Sequence, residues 1–217
     1  MHAVVGLLLV MAQVALAQSP APVPSPLRLM VIGDSLTAGF GLPVDQAFPA
    51  QLEAALRQKG HAVTVLNAGV SGDTSAGGKA RIAWALADKP DAVILELGAN
   101  DALRGIAPRE LQANLSAILT TLKGRGIPAF LSGMVAPPNL GAAYGEEFRA
   151  VYSRLAQDFD VPLQPFFLEG VAMQPTFNQA DGIHPNAAGV AVLVNNILPR
   201  IEPWLSTIAH ARPTANR

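Results

Sequence analysis

A serine hydroxyl is a poor nucleophile until a neighbouring base takes its proton. The run Met30-Val31-Ile32-Gly33-Asp34-Ser35 is therefore of interest for the histidine that could reach its last residue. Of the four histidines, His2 lies in the apolar N-terminal stretch, His61 in a polar turn ahead of a strand, and His210 in the C-terminal tail. His184 remains, in Asp181-Gly182-Ile183-His184-Pro185-Asn186. At that spacing in a tight turn, the Asp181 carboxylate can accept the Nδ1 proton of His184 and aim Nε2 outward, the orienting role in a Ser-His-Asp triad. Acyl transfer also needs donors for the oxyanion of the tetrahedral intermediate. The backbone N–H groups of Ser35 and of Gly72, in NAGVSGDTSAGG, are two candidates, and the side-chain amide of Asn100 is a third. Singly, each residue has a plainer reading as a turn or a helix cap. Asp34 and Asp101 are expected to hold neighbours by hydrogen bonds rather than to act as acids or bases. Glu96, inside an apolar run, is expected to be a buried carboxylate, with its role left open.

The elements that must position these residues are legible as a strict alternation. Apolar runs at Leu27 to Ile32, Ala62 to Leu66, Ala92 to Leu97, Ala129 to Met134 and Leu163 to Phe166 read as strands. Stretches of helical period fall at Gln46 to Lys59, Ser75 to Asp88, Pro108 to Arg125, Gly145 to Phe159 and Ala187 to Leu205. Nearly pure apolar strands alternating with helices predict a parallel sheet covered on both faces. For five strands the commonest order is 2-1-3-4-5, and right-handed crossovers then bring the turns after strands one, two and three to one crevice at the carboxyl edge. Ser35, the Gly72 turn and Asn100 sit at those ends, and a loop after the fifth strand brings His184 back over them.

Composition narrows the partners. Fifteen Lys and Arg nearly balance sixteen Asp and Glu, so no field recruits nucleic acid or an anionic membrane. The absence of cysteine excludes thiolate nucleophiles, Cys-based zinc sites, disulfides and an acylated N-terminal cysteine. We expect a small-molecule ester substrate, no stable membrane anchor and a monomer. Ala3 to Val14 is too short to span a bilayer, and Ala15-Leu16-Ala17 has the small-x-small pattern of a cleavage site. The expected organisation is a signal peptide over 1–17, a Pro-rich leader over 18–26, a single domain over 27–205 and a flexible tail over 206–217. Export to the periplasm or the medium follows from it.

Four stretches in order, GDSLTAG, NAGVSGDTSAGG, LGANDALRG and DGIHPN, resemble the conserved blocks of the GDSL, or SGNH, hydrolase family. The likeness runs from about Leu27 to Leu205 and is strongest to its bacterial exported lysophospholipase, thioesterase I and arylesterase branch. It implies a flavodoxin-like three-layer α/β/α sandwich and a metal-free serine esterase, with Ser35, Gly72, Asn100 and His184 in the four lettered positions and Asp181 as the triad acid. Thioesters and lysophospholipids join the expected substrates on this resemblance. Ala99 and Ala102 stand where branch members often carry glycine, which bears on the width of the entrance rather than on mechanism.

Rival readings are weaker. GDTSAGGKA approaches a phosphate-binding loop, but Gly78 separates Gly77 from Lys79 and Ala80 replaces the magnesium-holding hydroxyl. A silent carbohydrate-binding relative would be expected to lack one of the five site residues. A carbohydrate O-acetylesterase shares the catalytic blocks and is the alternative. Leu36, Phe166, Phe167, Met173 and Phe177 favour acyl or aryl groups over sugars, with core packing as the other reading for each. Leu36, Pro138 and Phe177 are the expected substrate contacts. Pro138 lies in Val135 to Gly145, expected as a flap stiff at Pro137-Pro138 and mobile beyond Gly141.

Overall fold

Short apolar strands are what a parallel sheet covered on both faces requires, and the computed structural model, which describes residues 25–211, contains five of them. They are β1 (Leu27–Gly33), β2 (Val63–Gly69), β3 (Ala92–Glu96), β4 (Ala129–Ser132) and β5 (Leu163–Gln164), all parallel, in the order β2-β1-β3-β4-β5. The described helices are α1 (Ser35–Ala38), α2 (Phe48–Gln58), α3 (Ser75–Ala85), α4 (Ala99–Leu103), α5 (Pro108–Gly124), α6 (Ala142–Phe159) and α7 (Ala187–Ala211). One layer packs α3 and α6 against α5, and the other pairs α2 with α7. The three layers and the strand order are those the alternating pattern predicts. The signal segment through Ala17, the leader as far as Pro24, and residues 212–217 lie outside the described residues.

Several boundaries differ from the sequence pattern for physical reasons. β5 stops at Gln164 instead of Phe166 because Pro165 has no N–H to continue the ladder. α7 runs to Ala211, six residues past Leu205, and passes Pro199 and Pro203. Its buried stripe continues through Ile208, so packing on the sheet extends the helix into the expected tail. α6 begins at Ala142, so the far half of the expected flap is helical. Tyr144 fixes that first turn by donating its hydroxyl to the Ile106 carbonyl at 2.7 Å and stacking on Phe148.

The last rung of the sheet positions the site. Gly33 pairs with Gly69 and with Glu96, Glu96 with Ser132, and Ser132 with Gln164. Paired residues of parallel strands direct their side chains to the same face, so Glu96, Ser132 and Gln164 form a buried polar row. Phe130, two residues before Ser132 on that face, packs against Trp204 of α7. A side chain at Gly33 would overlap Thr37 and Glu96, and one at Gly69 would overlap the α1 backbone. These glycines let α1 sit directly on the sheet end. From beneath, the Glu96 carboxyl accepts the Thr37 hydroxyl at 2.6 Å and the Asp34 N–H. Burial, and next the neighbouring Asp34, push the Glu96 carboxyl well above the usual range, so it is a neutral acid.

A carboxyl kept neutral only in the folded state contributes stability that is fully present below its unfolded pKa of 4.5 and is lost as pH rises towards the folded value. Glu96→Gln should therefore gain in melting temperature relative to the unaltered protein as pH is raised from 4.5. A difference constant with pH would contradict a buried neutral Glu96. Glu96→Ala strands the Thr37 hydroxyl and the Asp34 N–H and should lose about 1–3 kcal/mol for each, read by denaturant unfolding.

Candidate active site

β1 ends in Gly33, Asp34 caps the helix that follows by accepting the Leu36 N–H at 3.0 Å, and Ser35 opens α1. The turn leaves the Ser35 hydroxyl at the carboxyl edge. Nε2 of His184 lies 3.0 Å from Ser35 Oγ, and Nδ1 lies 2.7 Å from Asp181 Oδ2. The other Asp181 oxygen accepts the N–H groups of Ile183 and His184 at 2.9 and 3.0 Å. The His184 N–H, then its ring, then the Ile183 N–H hold the Asp181 carboxyl down at about 2. An ionised Asp181 selects the tautomer with the proton on Nδ1, which leaves the Nε2 lone pair facing the serine hydroxyl.

Polar side chains fold the histidine loop back over the crevice. The Gln179 amide donates to the Phe40 carbonyl at 2.7 Å and the Pro185 carbonyl at 3.0 Å, and its N–H reaches the His184 carbonyl at 2.8 Å. The Asn178 amide donates to the carbonyls of Val171 and Gln174. The Phe40 ring, half exposed, lies against the His184 imidazole with centroids 4.5 Å apart. Sequence reasoning did not single out Phe40. The available signal is an aromatic side chain ending the run Thr37-Ala38-Gly39 shortly after Ser35.

Among the described residues, the backbone N–H groups of Ser35 and Gly72 donate to no protein acceptor. Gly72 has φ +83°, a conformation that glycine adopts without strain, and its carbonyl accepts from Arg104 at 2.8 Å. Asn100, the third candidate donor, has both amide hydrogens engaged. Its amide gives one hydrogen to Asp34 Oδ2 at 3.0 Å and the other to the Asp73 carbonyl at 2.9 Å. Donation to an oxyanion therefore requires sharing one of these hydrogens. Asp101 accepts both the N–H and the hydroxyl of Ser75 at the start of α3, and burial raises its pKa.

The expected substrate contacts fare unequally. Leu36 is 6% exposed and belongs to the hydrophobic core, because the second residue of α1 turns inward onto the sheet. Phe167 is likewise core, meeting Phe48 edge to face at 4.9 Å. Phe177 is half-buried against the core between β5 and α7, and Pro138 is exposed in the turn after β4. Ala102 is buried and does not line an entrance. Among the described residues, no cluster of three or more His, Cys, Asp or Glu side chains could hold a metal ion.

The GDSL-like lipase/acylhydrolase family matches residues 31–192. The chain is 44% identical over 178 residues to esterase TesA of Pseudomonas aeruginosa, covering 82% of this chain and 89% of the relative. It is 39% identical over 179 residues to thioesterase 1/protease 1/lysophospholipase L1 of Escherichia coli K12, covering 82% and 85%. The crystal structure of AlinE4, an SGNH-hydrolase family esterase, superposes with a TM-score of 0.72 at 47% identity, covering 85% of this chain and 99% of that one.

Asp34 joins the Ser35 turn to Asn100, and its protonation should be felt in the rate. Burial raises its carboxyl to about 6, against the lowering pull of the Leu36 N–H and the Asn100 amide. As pH rises through that value the carboxylate forms and grips Asn100. The acid side of the kcat profile should therefore carry a limb from Asp34 near pH 6. Asp34→Asn should remove that limb and lower the plateau about tenfold, the loss of one hydrogen bond to a charged group. A variant with normal kcat and an unchanged acid side would remove Asp34 from this role.

Proposed function

The chain belongs to the GDSL-like lipase/acylhydrolase family, and we propose from that premise that it hydrolyses carboxylic esters through an acyl-enzyme on Ser35. The observation that carries the assignment is the unbroken line from Asp181 Oδ2 through the His184 ring to Ser35 Oγ, with contacts of 2.7 and 3.0 Å. His184 Nε2 takes the hydroxyl proton as Oγ attacks the ester carbonyl. Asp181, ionised, stabilises the imidazolium that forms. The N–H groups of Ser35 and Gly72, with a shared hydrogen of the Asn100 amide, receive the oxyanion. His184 then returns its proton to the leaving oxygen, and a water molecule activated by the same Nε2 releases the acid.

The substrate is proposed to be an acyl or aryl ester, extending to thioesters and lysophospholipids, the chemistry named in the Escherichia coli relative. Exposed Phe40, Val70, Leu103 and Ile183, in the segments that follow the strand ends, favour apolar groups at the mouth. The domain is proposed to act as a monomer after export and removal of the segment ending at Ala17. No helix among the described residues is long and apolar enough to cross a membrane.

Treatment with a fluorophosphonate followed by peptide mass spectrometry should place the adduct on Ser35. An adduct on another serine would overturn the assignment. A panel of p-nitrophenyl esters, acyl-CoA, lysophospholipid and acetylated xylan should give the highest kcat/KM on an apolar acyl or aryl substrate. Preference for acetylated xylan would instead establish the carbohydrate O-acetylesterase.

A further inference from the structure

Arg81 lies on α3, away from the reacting atoms, with 16% of its side chain exposed. Nε donates to Asp73 Oδ2 at 2.5 Å, and Nη2 donates to the Gly33 carbonyl at 2.9 Å. Both acceptors belong to the crevice. Gly33 carries the peptide one residue ahead of the nucleophile, and Asp73 directly follows Gly72. The Gly33 carbonyl also accepts the Val70 N–H at 3.0 Å, and the N–H on the far side of the same peptide, that of Asp34, is held by Glu96. The Asp73 carbonyl accepts one hydrogen of the Asn100 amide at 2.9 Å. One guanidinium thus ties the end of β1 to the turn that carries one oxyanion donor and anchors the other.

We propose that Arg81 is a positioning residue that sets the spacing between the Ser35 hydroxyl and the oxyanion donors, a role that rests on the ester-hydrolase reading above. Its planar fork offers two donors at a fixed spread, so the Gly33 carbonyl and the Asp73 carboxylate are held relative to each other as well as to the helix. A lysine is a single compact charge on a flexible stem and cannot hold both acceptors in one geometry. Because the oxyanion exists only during reaction, loosening this link affects the transition state and leaves ground-state binding alone.

The test compares Arg81→Lys and Arg81→Ala with the unaltered enzyme on a p-nitrophenyl ester and with an aryl boronic acid, whose adduct on serine is a tetrahedral anion. Both variants should lose on the order of 10- to 100-fold in kcat with KM changed less than about twofold, the pattern of an interaction expressed only in the transition state. Boronic acid affinity should fall by the same factor as kcat/KM. Millimolar guanidinium chloride should restore part of the activity of Arg81→Ala, and equal sodium chloride should not. Normal kcat in Arg81→Lys, a loss carried by KM alone, or a kcat loss with unchanged boronic acid affinity would each overturn the proposal. Should Arg81→Ala fail to fold, Arg81→Lys decides by the same comparison. Fluorophosphonate labelling of the unaltered protein separates the two readings: if Ser35 is not labelled the hydrolase assignment fails, and if it is labelled while Arg81→Lys is normal only the role of Arg81 fails.

Discussion

Ser35 and His184 are separated by 149 positions and must meet at 3.0 Å. Most of the architecture can be understood from that requirement. A parallel sheet with right-handed crossovers returns every strand end to one edge, and the order β2-β1-β3-β4-β5 puts the ends of β1, β2 and β3 side by side. The serine therefore stands beside the Gly72 turn and Asn100 by topology alone. His184 arrives from the far end of the sheet, on a loop too irregular for strand pairing to hold. Its one bridge, Asn178 with Pro185, is supplemented by the amides of Asn178 and Gln179, which satisfy backbone carbonyls that a ladder would otherwise take.

The Ser35 turn is held from below by groups that are costly to bury. Asp34 and Glu96 are fully buried carboxyls beside each other, and desolvation raises both. The cost is reduced by hydrogen bonds, from the Thr37 hydroxyl to Glu96 and from the Leu36 N–H and the Asn100 amide to Asp34. Asp181 is the opposite case, exposed and held as an anion by three hydrogen bonds from Ile183 and His184. One short region thus holds carboxyl groups in three different conditions, each set by its surroundings.

How much of this was legible in the sequence depends on the length scale of the signal. The strands are apolar runs and the longer helices have clear periods, so the layers and the crevice followed from pattern. Ser35, His184 and Asp181 are picked out by eliminating other histidines and by spacing, which are properties of the chain itself, and the fold brings their side chains into contact at 2.7 and 3.0 Å. The short helices α1 and α4 span four and five residues, too few for a period to show. Leu36 reads as a substrate contact from its apolar character at the site, and that character serves equally for the core position it takes in the helical turn at Ser35. The partners of Asn100 and the two acceptors of Arg81 lie on other strands' loops, and no local spacing encodes them. The start of α6 was set by the Tyr144 contacts, which depend on α5 and its preceding loop being in place.

A kinetic double-mutant cycle on Ser35 and His184 tests most directly whether they act as one unit. Ser35→Ala and His184→Ala should each lower kcat on a p-nitrophenyl ester by about 10⁴ or more, and the double variant should be no slower than the slower single one. If the two losses instead multiply, or if either single variant keeps near-normal kcat, the serine and the histidine do not share the proton transfer on which the site is built.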